Sequence, residues 1–133
     1  MPKLREEGCT LLIYFDDSLI QRDTRELCEE ALARSTELFH SLGFIIHPRK
    51  SVFTPIQIIE FLGFVLDSRS MAVSLTLIKS ANLKQSLIDI LQTDMVSIQS
   101  LDESIGHLDA AVPGVLFGTV FFERLEILNI KAL

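Results

Sequence analysis

Apolar positions along this chain follow two different spacings, and each spacing predicts a different kind of element. Leu11 to Phe15 and Leu19-Ile20 are apolar runs that close around two adjacent carboxylates, Asp16 and Asp17. Thr10 to Tyr14 and Ser18 to Gln21 read as two short strands joined through Phe15-Asp16-Asp17, a hairpin with carboxylates at its tip. The spacing then becomes helical. Leu27, Ala31, Leu32, Leu38, Phe39 and Leu42 form one stripe, with Asp23 and Glu26 as N-cap and reciprocal acid and Gly43 as the stop. Phe44 to Ile46 reads as a short strand, His47-Pro48 as a turn, and Ser51 to Thr54 as an extended stretch broken by Pro55. Ile58 to Leu66 reads as one strand, "DSRS" as a turn and Met71 to Leu75 as its return, a second hairpin. Helical spacing runs over Leu77 to Leu91, Ile98 to Val112 and about Phe117 to Leu133, with Pro113-Gly114 between the last two. Residues 2–7 read as the frayed end of an element begun upstream. The order predicts an α+β fold with an all-helical tail.

Composition narrows this picture. A chain of 133 residues is one small domain or a piece of a larger one, and 48% hydrophobic residues supply a core rather than a disordered tail. No uncharged run is long enough for a transmembrane helix, and Lys3, Arg5, Glu6 and Glu7 do not form a signal peptide. Cys9 and Cys28 have no Cys or His at metal-binding spacing and make no disulfide framework, which points to a reducing, intracellular setting. His40, His47 and His107 form no ligand set and read as surface or turn residues. The net charge of −6 is unlike that of a freestanding nucleic-acid binder, which carries a basic patch.

The acidic pair carries the candidate chemistry. Mg²⁺ takes oxygen ligands, commonly one or two carboxylates plus substrate phosphates. A strand sends consecutive side chains to opposite faces, so two aspartates in mid-strand could not share an ion; a tight turn relaxes that constraint. Apolar flanks would pack the hairpin and hold the carboxylates still. A plain polar turn is the competing reading, because Asp favours turns for its own reasons, and composition alone favours that reading.

The surrounding residues add a resemblance. "YFDD" (Tyr14 to Asp17) resembles the Tyr-x-Asp-Asp motif of reverse transcriptases. "LGFIIHPRKS" (Leu42 to Ser51) is similar to the segment that follows the palm helix in that family, including its lysine, here Lys50. "IEFLGFVLDS" (Ile59 to Ser68) looks like the primer-grip hairpin, with Leu62-Gly63 at its core, and "SIGHLDAAVPGVLFG" onwards resembles the thumb. Tyr-x-Asp-Asp alone is a weak motif, but these segments follow one another in the family's order over about Lys3 to Leu133. The similarity is greatest to retrotransposons bearing a tyrosine recombinase (the DIRS type) and more distant to Ty3-like elements.

The resemblance implies the C-terminal part of a polymerase palm over residues 1–75 and a helical thumb or connection over 76–133. It implies RNA-directed DNA polymerase activity in the intact enzyme, by nucleotidyl transfer with two Mg²⁺ ions (or Mn²⁺), on an RNA or DNA template-primer and a dNTP. Asp16 would be the principal metal ligand and Asp17 a weaker one. Tyr14 and Phe15 would border the primer terminus and incoming nucleotide, and Lys50 would steady the pyrophosphate. Leu62, Gly63 and Phe64 would present backbone to the primer. Lys79 and Lys84 would face the template-primer or simply form a charged helix face. The fingers and the first catalytic carboxylate would lie upstream of Met1, so this chain alone is expected to be inactive. It is also expected to self-associate through an unpaired sheet edge with Leu11 and Ile13 exposed.

Two features depart from the family: Asp109 stands among Ile105, Leu108, Ala111 and Val112, where an apolar residue is usual, and Thr119-Val120 replaces a glycine-proline-like turn. Both suit a degenerate or truncated copy of a mobile element. The basic surface missing here would belong to the fingers. A non-catalytic relic or interaction module derived from such an element is the alternative; an unrelated metal-dependent phosphotransferase leaves Leu42 to Ser51 and Ile59 to Ser68 unexplained.

Overall fold

The computed structural model describes residues 9–93 and 95–115, so segment 2–7, Thr119-Val120 and the helix expected from about Phe117 lie outside the described residues. Those residues form a mixed α+β fold of three α-helices and two small antiparallel sheets. The chain divides into two compact units, Met1–Ile56 and Gln57–Leu133.

In the first unit, β1 (Thr10–Tyr14) and β2 (Asp17–Gln21) pair antiparallel, from Thr10 opposite Gln21 to Tyr14 opposite Asp17. Strand alternation puts Leu11 and its partner Ile20 on one face. The helix α1 (Arg25–Ser41) covers that face, and Leu11, Cys9 and Ala31 form a buried cluster with Ile20 and Leu38 packed against it. A two-stranded hairpin is marginal by itself; the helix supplies the surface it needs. Leu11 is therefore not an exposed edge residue, as the sequence suggested: it is 3% exposed, whereas Ile13 is 49% exposed. Cover on the Leu11 face stops short of the tip.

The start of α1 differs from expectation by one residue. Thr24, not Asp23, is the N-cap: its hydroxyl accepts the Leu27 N–H at 3.3 Å, one of the donors a helix start leaves unpaired. The Glu26 carboxyl is held below its usual range, first by a backbone hydrogen bond and then by one with Thr24. A depressed carboxyl pKa contributes stability above the unfolded value and loses it as pH falls through the folded value, so this cap weakens on acidification. Thr24→Ala should cost about 1 kcal/mol in chemical denaturation, and Asp23→Ala should cost far less. Equal losses from both variants would mean the cap is misassigned.

The helix ends as Gly43 predicts. Gly43 has φ +84°, its N–H donates to the His40 carbonyl (3.0 Å), and the Phe44 N–H donates to the Phe39 carbonyl (2.9 Å). That pair of bonds is a Schellman motif, and its customary apolar contact is the edge-to-face stack of Phe39 and Phe44, 5.9 Å between centroids. Phe44 is thus committed to the helix stop, and Phe44 to Ile46 is not a strand. Ser51 to Thr54 likewise joins no ladder. His47-Pro48 opens a turn as expected, closed by the Lys50 N–H on the His47 carbonyl at 3.2 Å.

In the second unit, Ile58 to Leu66 is not one strand. It folds back at Leu62-Gly63 to give β3 (Ile58–Phe61) and β4 (Phe64–Asp67), and β5 (Ala72–Leu75) completes a three-stranded meander with β4 at its centre. Leu62 and Gly63 both have positive φ, +52° and +78°, as a two-residue type I′ hairpin turn requires. The next turn is set by Asp67, whose carboxylate accepts the Arg69 N–H at 2.8 Å and lies 3.4 Å from the Ser70 N–H. The Arg69 N–H first, and then the Ser70 side chain, hold the Asp67 carboxyl below its usual range.

Two helices follow, α2 (Leu77–Leu91) and α3 (Ile98–Asp109), capped by the hydroxyls of Thr76 and Ser97. Ser86 and Ser104 meet between them at 3.3 Å. The expected helix over Ile98 to Val112 ends at Asp109, and Val112–Gly114 forms a 3₁₀ turn against β5. A Cβ on Gly114 would come within 2.9 Å of the Leu75 backbone nitrogen, so the turn needs glycine there. Asp109 is exposed at the last position of α3, not on the apolar face that its neighbours suggested; Ser104, Ile105 and Ala111 are the buried residues around it. With a solvated carboxylate, Asp109→Val should shift stability by no more than about 0.5 kcal/mol, rather than stabilise the tail. A rise of several degrees in melting temperature would show that the carboxylate is desolvated after all.

Candidate functional site

The β1–β2 hairpin brings Tyr14, Phe15, Asp16 and Asp17 together at one tip. Tyr14 pairs with Asp17, which leaves Phe15-Asp16 as a two-residue loop. Asp16 is in the loop and Asp17 is the first residue of β2, directly opposite Tyr14 and on the same face of the ladder. Phe15 has φ +49°, and Asp16 is not in that region, the sign pattern of a type II′ turn whose first position normally holds glycine. A phenylalanine there carries backbone strain on the order of 1–2 kcal/mol. Its ring is 87% exposed and stands edge-to-face on Tyr14, 4.9 Å between centroids at 86°. Both carboxylates are exposed, and no hydrogen bond or ion pair engages either among the described residues.

This arrangement answers the question the acidic pair raises. The apolar run does not bury the aspartates: Leu11 and Ile20 pack in the cluster with Ala31 of the helix, whereas Ile13, Tyr14 and Phe15 beside the aspartates are exposed. The tip projects past that contact, so two adjacent charges stay hydrated and keep their oxygen lone pairs free. Hard divalent cations are bound by such oxygens, and two carboxylates with retained waters suit one Mg²⁺ held loosely. Among the described residues no three His, Cys, Asp or Glu side chains are grouped to hold a metal ion.

The other residues implicated by the sequence lie elsewhere. Lys50 is exposed in the His47–Lys50 turn of the first unit, with no hydrogen bond or ion pair to Asp16 or Asp17. Leu62, Gly63 and Phe64 belong to the second unit, at the β3–β4 turn. The close approach that Gly63 permits is taken by Lys79: a Cβ on Gly63 would meet the Lys79 Cδ at 3.0 Å. The Lys79 ammonium lies 3.8 Å from the centroid of the Phe64 ring and donates to the Ala110 carbonyl at 2.9 Å, at the C-terminus of α3, where a cation is favoured. Lys79 is therefore a clamp between β4, α2 and α3. Sequence reading missed this role; the spacing of "FLGF" before a capped helix was its only trace.

A shallow groove between α2 and α3 is lined by Gln85, Ser86, Asp89, Glu103, Ser104 and His107 among others. Among the described residues no helix is long and apolar enough to cross a membrane. No family model, curated protein or solved structure matches this chain.

Proposed function

We propose that this chain is the Tyr-x-Asp-Asp hairpin, primer-grip hairpin and thumb of a retrotransposon reverse transcriptase, the reading that its motif order supports. One structural observation favours it over a plain polar turn. Asp16 occupies a strained two-residue loop and Asp17 the next position, both exposed and without a hydrogen bond or ion pair among the described residues, while the other end of the same hairpin is anchored by Leu11. A turn that served only to reverse the chain would gain nothing from a phenylalanine at positive φ or from two uncompensated neighbouring charges.

In this reading Asp16 and Asp17 hold divalent cations together with a carboxylate from an upstream strand. The cations, when bound, lower the pKa of the primer hydroxyl and stabilise the charge on the triphosphate. Tyr14 and Phe15 present a rigid aromatic edge beside the carboxylates, suited to stacking on the primer terminus or nucleotide. Lys50 supplies a mobile positive charge for the departing pyrophosphate. At the second hairpin the Lys79 clamp fixes the β3–β4 turn, so Leu62 and Phe64 offer backbone from a rigid support.

The test is incorporation of labelled nucleotide on a primed RNA template with Mg²⁺ or Mn²⁺. The purified chain, bringing two carboxylates, should bind Mg²⁺ weakly and add no nucleotide. The same chain joined in frame to a fingers-and-palm segment that supplies the third carboxylate should extend the primer. A joined protein that binds template-primer and still adds nothing would remove the enzymatic reading. It would leave the second one, a non-catalytic interaction module, which draws on the exposure of Leu12, Ile13, Tyr14 and Phe15.

A further inference from the structure

The two cysteines have no part in the chemistry above, and the fold brings them to one place. Thr10 opposite Gln21 closes the open end of the hairpin, and Cys9 precedes Thr10. From Gln21, residues 22–24 lead directly into α1, whose first turn holds Cys28, its N–H bonded to the Thr24 carbonyl at 3.0 Å. Cys28 and Ala31 are three residues apart and share a helix face. Ala31 is buried in one cluster with Cys9 and Leu11. Cys9 is 5% exposed, and Cys28 is half-buried. Burial, and after it the neighbouring Cys9, pushes the Cys28 thiol up. Both thiols are free in this structure.

We propose that Cys9 and Cys28 form a reversible dithiol–disulfide pair that, on oxidation by a low-molecular-weight disulfide such as oxidised glutathione, staples the β1–β2 hairpin to α1. The more accessible thiol, Cys28, reacts first. Its thiolate attacks one sulfur of the oxidant, a Cys28–glutathione bond forms, the oxidant's S–S bond breaks, and one glutathione leaves with the proton given up by Cys28. The Cys9 thiolate then attacks the Cys28 sulfur, the intramolecular S–S bond forms, and the second glutathione leaves with the Cys9 proton. Two thiols lose two electrons, and one oxidised glutathione becomes two reduced molecules. The ring so closed contains the whole hairpin, including Phe15, Asp16 and Asp17. It restricts the unfolded chain far more than the folded one, where the buried cluster already holds Cys9 with Ala31, three residues along α1 from Cys28.

The experiment equilibrates the full chain in glutathione buffers of graded ratio, traps free thiols by alkylation and maps the products by mass spectrometry, in native buffer and in urea. A ring of this size should favour the intramolecular disulfide in the folded chain over the unfolded one by on the order of a hundredfold. The expected product is a monomer lighter by two hydrogens, with one Cys9–Cys28 peptide and a raised thermal midpoint. Cys9→Ala should stop at the Cys28–glutathione adduct, and Cys28→Ser should resist oxidation. Equal ring formation in native buffer and in urea would overturn the proposal, as would oxidation only between chains or two thiols still alkylated in the most oxidising buffer. The wild-type comparison decides the matter even if a variant fails to fold.

Discussion

Asp16→Asn should abolish nucleotide incorporation by the joined polymerase while leaving its affinity for template-primer nearly unchanged. Asparagine keeps the size and turn preference of aspartate and removes only the charge and one strong oxygen ligand. Asp16 is exposed and makes no hydrogen bond or ion pair among the described residues, so the fold has nothing to lose. Under the proposed function the variant loses cation binding at the transferring phosphoryl group, worth several kcal/mol, and each 1.36 kcal/mol is about tenfold in rate. A fall of roughly a thousandfold or more is therefore expected. Asp17→Asn should be milder. Asp17 is fixed in the β2 ladder opposite Tyr14, whereas Asp16 sits in the loop, free to follow the ion. Near-equal activity of both variants and wild type would show that the carboxylates do not hold the metal. Raising the Mg²⁺ concentration offers a further discrimination: a weakened ion site recovers part of its rate, and a misfolded tip does not.

Much of the fold was legible because its signals are local. Both strands of the first hairpin, the α2 helix from Leu77 to Leu91 and the stop at Gly43 follow from alternation, helical spacing and a glycine that alone tolerates φ +84° cheaply. The errors have local causes too. Asp23 and Thr24 are both good caps, and no sequence rule separates adjacent candidates. Phe44 to Ile46 has the composition of a strand, but a strand needs a partner ladder, and the Schellman contact with Phe39 claims Phe44 first. Spacing alone runs Ile58 to Leu66 together because leucine at φ +52° is rare; it is the resemblance to a primer-grip hairpin that singles out Leu62-Gly63. The turn is held by contacts remote in sequence: the Thr76 N–H on the Gly63 carbonyl at 3.1 Å and the Lys79 clamp on Phe64 and Ala110. Asp109 was misplaced by assuming that a helix continues through its apolar stripe. The chain turns at Val112-Pro113-Gly114 instead, which leaves Asp109 on the solvent side. At the candidate site, the residue types and the turn were readable; which aspartate is free and which is held in the ladder depends on register.

Leu11 and Ile13 make the sharpest test of that register. They are both apolar, two positions apart on the same strand face, and indistinguishable by pattern. The structure buries Leu11 to 3% exposure against Cys9 and Ala31 and leaves Ile13 at 49%, beyond the reach of α1. Leu11→Ala removes side-chain volume from a small closed cluster and should cost about 2–5 kcal/mol, the transfer term plus a cavity that few neighbours can collapse to fill. In a first unit whose described core consists of that cluster, such a loss is a large share of the marginal stability of a small domain. The variant should lose protection of the hairpin amides and show a lowered urea midpoint, with the signals of the second unit changed far less. Ile13→Ala should cost under about 1 kcal/mol, because half of that side chain is already in water. The comparison is made by amide hydrogen exchange and urea titration of the two variants side by side. If Ile13→Ala proved as damaging as Leu11→Ala, the hairpin tip would be buried against a surface outside the described residues. Asp16 and Asp17 would then not be the exposed pair on which the proposed metal binding rests.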